Sequence, residues 1–231
     1  MSLSLTAVDC PASQKDLLDS LVLLYGRLGE IAEGRRDFGG FTAHGDLAEK
    51  FHLRIENYPR LTMRFSDADR NALASYAGMS GKELLACATT PLERLMIATL
   101  WKQADLGKIR YIAAGLVENG DTTSSNHTET NAPIFRQFGR HLSDPGSQPI
   151  ADQHCLRAYR YLLGQDLCDG RHKLDTVKAQ EVKSYVEWVQ DLANRDTSDG
   201  RTDRMYEFDR SMFTLGKATK YLIDMVIPSR E

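Results

Sequence analysis

Apolar residues recur along most of the chain at helical spacing. Across residues 14–32, Leu17, Leu18, Leu21, Leu24, Tyr25, Leu28 and Ile31 fall three or four apart, which predicts an amphipathic helix with Ser13 available to cap it. Residues 66–76 open on Ser66 and Asp69, and residues 80–87 on Ser80 and Glu83. Both pairs have the spacing of a capping box, in which each side chain bonds the other residue's free amide. Thr90-Pro91-Leu92-Glu93 is the clearest start: a cap, a proline in the first turn and a glutamate that reaches back. The helix that follows is expected to bury Leu92, Leu95, Met96 and Leu100. A further helix over 105–118 carries Leu106, Ile109, Ile112, Ala113 and Leu116 on one side, stops at Asn119-Gly120 and is expected to form a hairpin with its predecessor.

Helical patterning resumes at 132–142, 153–163, 176–194 and 203–227. In the last two, Val182, Tyr185, Val186, Val189 and Leu192, then Met205, Phe208, Met212, Leu215 and Leu222, mark buried stripes. Phe51, Leu53 and Ile55, then Leu61, Met63 and Phe65, instead alternate around Tyr58-Pro59-Arg60, as a small strand hairpin would. The stretch from Asp46 could equally begin a helix running through Asn57. Residues 121–130, almost wholly polar and small, are expected to be a surface loop. The fold class expected is mainly α: a compact multi-helix unit with one small β-hairpin near residues 51–65. Residues 1–90 form its N-terminal helical region and residues 91–231 the region that carries the candidate site.

A chain of 231 residues can bury a sizeable core. Its formal net charge of −3 supplies no global attraction to nucleic acid, so any such contact must come from a local basic patch. No apolar run reaches membrane-spanning length and no secretory leader pattern opens the chain, so a cytoplasmic protein without membrane association is expected. The cysteines at 10, 87, 155 and 168 are too scattered for a zinc or iron-sulfur motif and are read as reduced.

Chemistry is concentrated at Asp152-Gln153-His154-Cys155-Leu156-Arg157. Pro149 closes the preceding loop, and Cys155, Leu156, Tyr159, Leu162 and Leu163 form the packing stripe of the next helix, which places Asp152 at its cap. There the backbone amides and the helix dipole hold an anion that can stabilise a developing sugar cation or orient an attacking water. A plain structural cap accounts for the same residue. Arg157 and Arg160 are expected on the exposed side of that helix, and Arg136 and Arg140 form a second basic pair one turn apart. Together they are candidates to hold phosphates, with a solvated helix face carrying ion pairs as the structural alternative. His141 and His154 lack a recognised ligand spacing, so neither a metal nor another cofactor is expected. Asp209 shares a helical strip with Phe213 and with Gly216, whose missing side chain allows a neighbouring helix close. Asp209 is expected to pair with Arg210 or cap a neighbour, or else to face the Asp152 cleft as a second carboxylate.

The segment Pro149-Ile150-Ala151-Asp152-Gln153-His154-Cys155-Leu156-Arg157 resembles the part of the helix-hairpin-helix DNA glycosylase superfamily where an Asp, any residue, His, two more residues and Arg open a helix. The resemblance implies an all-helical fold, a catalytic role for Asp152, and His154 and Arg157 as local supports. It also implies binding of DNA or a nucleobase-containing ligand. No lysine occurs between Lys108 and Lys173, so the activity implied is hydrolysis of the N-glycosidic bond by water. The stretch from Gly115 to Gly120 departs from the glycine-rich hairpin with which that family grips DNA. From a different class of function, a helical interaction module without catalysis, binding a protein partner, explains the same cap.

Overall fold

The computed structural model describes residues 12–53, 65–118, 131–164, 177–196 and 200–226. Among them there are helices and turns and no strand. The expected hairpin near 51–65 falls largely on residues outside this set, as does the polar loop 121–130.

The helices are α1 (Ala12–Ala32), α2 (His44–Lys50), α3 (Asp67–Ala74), α4 (Gly81–Cys87), α5 (Pro91–Lys102), α6 (Ile109–Val117), α7 (Pro133–Ser143), α8 (Gln153–Leu162), α9 (Ala179–Arg195) and α10 (Arg201–Val226). Several start where their capping chemistry dictates. Ser66 with Asp69, and Ser80 with Glu83, form complete capping boxes on α3 and α4. At α5, Thr90 Oγ1 accepts from Glu93 N at 3.2 Å, and Glu93 Oε2 accepts from the amides of Thr89 and Thr90, each at 2.8 Å. Ser13 lies inside α1, whose described span starts at Ala12, two residues before the start at residue 14 that this cap would give.

One core joins α1, α2, α8, α9 and α10. Leu21, Leu24, Tyr25, Leu28 and Ile31 of α1 meet Cys155, Leu156, Tyr159 and Leu162 of α8 and the expected stripes of α9 and α10, all buried. Each large apolar side chain enclosed this way contributes about 1.5–3 kcal/mol relative to exposure. Leu163, expected on the same face of α8, is 52% exposed because the helix ends at Leu162 and Gly164 turns the chain away at φ 78°.

A second layer of α3, α4, α6 and α7 lies against this core, and its tightest joint is between α6 and α7. Gly115 and Gly139 make that joint possible. A Cβ on Gly115 would collide with the main-chain carbonyl of Arg136, and one on Gly139 would come within 2.9 Å of Gly115 Cα. The hairpin expected between α5 and the next helix is therefore replaced by α6 against α7. The packing expected for α5 is also not realised: Leu92 and Leu95 are each 64% exposed and Met96 is 56% exposed. Spacing sorted these residues onto a helix, but the core positions are filled by α1 and α8–α10, and the contacts of α5 run to the turn Leu106–Lys108.

Candidate functional site at the start of α8

Asp152 caps α8 with extended backbone, and its Oδ1 accepts from the amides of His154 and Cys155, each at 2.7 Å. The residue is half-buried, so the cap stands at the edge of solvent. The loop leading to it is tied down residue by residue. Arg201 Nε donates to Gly146 O at 3.1 Å, Gln190 Nε2 to Ser147 O at 3.0 Å, His141 Nδ1 to Gln148 O at 2.7 Å and Gln137 Nε2 to Pro149 O at 2.9 Å. Ile150 N donates to Asp209 Oδ2 at 3.0 Å. Side chains from α7, α9 and α10 thus supply the partners that five successive loop residues lack in any regular ladder. Since a carbonyl only accepts, His141 carries its proton on Nδ1, and burial lowers its pKa.

Asp209 is wholly buried, and burial raises its pKa well above the usual carboxylate value, which favours the neutral acid. Its expected pairing with Arg210 is replaced by the bond from Ile150. Enclosed in this way, it shares no solvent cleft with Asp152. Gly216 of α10 lies against the His154 main chain, a contact any side chain would prevent, as the sequence reading of the Asp209 strip anticipates.

The arginines do not form a free basic face. Arg136 and Arg140 converge on one carboxylate, Glu118: Arg136 Nη1 bonds Oε1, and Arg140 Nη2 donates to Oε2 at 2.8 Å. Arg160 grips Glu181 with two nitrogens, Nη2 to Oε2 at 2.6 Å. Arg157, expected on the exposed side, is 5% exposed and donates to His154 Nδ1 at 2.8 Å and to Gly216 O at 3.4 Å. An imidazole nitrogen that accepts from a guanidinium is unprotonated, so His154 is neutral with its proton on Nε2, in keeping with the burial that lowers its pKa.

The cations that do reach this corner are Lys217 and Lys220 of α10. Both act electrostatically on His154. Lys217 Nζ lies 5.5 Å from the centre of the Phe213 ring, which itself meets His154 edge-on at 5.1 Å. Lys220 pairs with Asp224 on the exposed surface, whereas Lys217 has no acidic partner among the described residues. Sequence reasoning reached Gly216 but stopped short of the lysines beside it. It also missed Gln137, Gln190 and Arg201. The one available signal was Gln137 and His141, polar residues one turn apart on the packing side of α7.

Among the described residues, no group of three or more His, Cys, Asp or Glu could hold a metal ion, and no helix is long and apolar enough to cross a membrane. Comparison of the chain with protein-family models, curated proteins and solved structures gave no match. None of the three comparisons supports the short resemblance, so the helix-hairpin-helix glycosylase, hydrolase and cytoplasmic assignments drawn from it stand without support, and what is shown among the described residues is an all-α architecture.

Proposed function

We propose that the corner formed by Asp152, His154, Lys217 and Lys220 binds a nucleobase-containing ligand or a nucleic-acid strand. One observation carries the reading: a carboxylate oriented by two amides and two lysines, one of them without an acidic partner among the described residues, all act on the same imidazole, His154. The carboxylate accepts from base or sugar donors while the lysines meet phosphate, the division of labour that positions a nucleotide. The rigid loop supports the reading, because a site held by five side-chain bonds costs little reorganisation on binding. An anion fixed beside a bound sugar also stabilises positive charge developing on it, so release of free base is the reaction to assay.

Fluorescence anisotropy with labelled single-stranded and duplex DNA across a salt series tests this. Binding at low salt is expected, with a salt slope that drops by about 1 when Lys217 is replaced by Gln. Absence of binding at low salt, or a slope unchanged in the Lys217→Gln, Lys220→Gln double variant, sinks the proposal.

The exposed Leu92, Leu95 and Met96 favour a second reading, a helical interaction module without catalysis in which a protein partner covers α5. Loss of partner binding in a Leu95→Glu variant, with DNA binding absent throughout, is its expected signature. Unchanged partner binding in that variant overturns it.

A further inference from the structure

A separate cleft opens where α1 ends. Gly34, at φ 74°, reverses the chain, and the turn Phe38–Gly40 folds the next segment back. Arg35 and Arg36 are thereby returned to the side of Arg27, which lies two turns earlier on α1. The three arginines, with Asp37 and Thr42, line a cavity of about 350 Å³ whose apolar part is the buried pair Ile31 and Phe41. That volume is at the lower end of the range for small-molecule sites.

The charges are poised rather than locked. Arg35 bonds Glu33, with Nε to Oε2 at 2.7 Å, and Arg36 bonds Glu30, but both arginines are more than half exposed. Exposed pairs of this kind hold weakly and yield to a better acceptor. Arg27 is exposed and makes no ion pair with any described residue. Guanidinium forks match the oxygens of phosphate two at a time, and the Thr42 hydroxyl adds a donor. Asp37 repels a bare anion but accepts from a hydroxyl, which favours a phosphate carried on a hydroxylated organic group.

We infer that this cleft is a binding site for a small phosphate ester bearing hydroxyl groups, independent of the Asp152 corner. Ribose 5-phosphate serves as the probe, titrated into the whole protein by calorimetry at low salt. Saturable one-to-one binding is expected. Arg27→Gln, a change at an exposed residue, should weaken it by about tenfold, the loss of a charge-assisted bond. Asp37→Asn should weaken binding of the ester while strengthening that of inorganic phosphate. Circular dichroism of each variant verifies the fold. No saturable binding, or equal affinity in Arg27→Gln, overturns the inference. Binding lost in the Lys217→Gln, Lys220→Gln variant but kept in Arg27→Gln places the ester at the α8 corner and overturns it equally.

Discussion

A carboxylate that caps a helix has two separable properties, an acceptor oxygen and a charge, and Asp152 carries both. Removing the oxygen leaves the amides of His154 and Cys155 without their side-chain acceptor. Asp152→Ala is therefore expected to cost about 1 kcal/mol in chemical denaturation. Asparagine caps as well as aspartate, so Asp152→Asn should unfold within a few tenths of a kcal/mol of the parent while losing the negative charge. A large stability loss in the Asn variant would mean that the charge itself holds the fold. The cap was readable because its signals are local: Pro149, then Asp152, then an apolar stripe. Ion pairing of the arginines was readable as the structural alternative, but their partners were not, since Arg136 and Arg140 meet a glutamate 18 and 22 residues away and Arg160 one 21 residues away. Such partners are chosen by packing, and a basic pair on one helix face says nothing about which acid will face it.

At the scale of elements, α6 with α7 and α8 with α10 owe their separations to glycine. Gly139→Ala must push α7 off α6, because the obstructing atoms are backbone, and overpacking of this kind costs about 1–3 kcal/mol or more. Thermal melting of Gly139→Ala should show that loss, and a melting temperature equal to the parent's would contradict the close crossing. The opposite expectation holds for α5. Replacing Leu92 or Leu95 by glutamate alters a side chain that is already mostly in solvent, so stability should stay within about 0.5 kcal/mol of the parent. A loss of several kcal/mol would show that this face is covered in the folded protein. The contrast marks how far periodicity carries. Helix starts at Ser66, Ser80, Thr90 and Asp152 were legible because capping is a contact between near neighbours. Whether an apolar stripe finds a cover depends on the order in which helices stack, and that order lies in tertiary geometry.

For the whole molecule, the joining of α1 to α8 and α10 across more than a hundred residues was likewise outside what spacing can specify, although every stripe involved was readable. Burial at this joint also sets how stability responds to pH, with two opposing limbs. His141 and His154 have pKa values lowered by burial, so the unfolded chain binds more protons as pH falls below about 6.5, and folding weakens on the acid side. Asp209 works in the other direction. Its folded pKa lies well above the ordinary carboxylate value of about 3.8, so the folded state holds on to a proton that the unfolded chain releases. The stability this contributes is complete below about 3.8 and is lost as pH rises toward the folded value. Asparagine at 209 still offers an oxygen to Ile150 N but has no proton to lose. The melting temperature of Asp209→Asn relative to the parent should therefore climb as pH rises from about 4 toward neutrality, whatever the offset at the acid end. A difference that stays constant across that range would mean that Asp209 is ionised inside the core. The loop 146–150 would then be anchored by a buried charge and not by the neutral acid that burial favours.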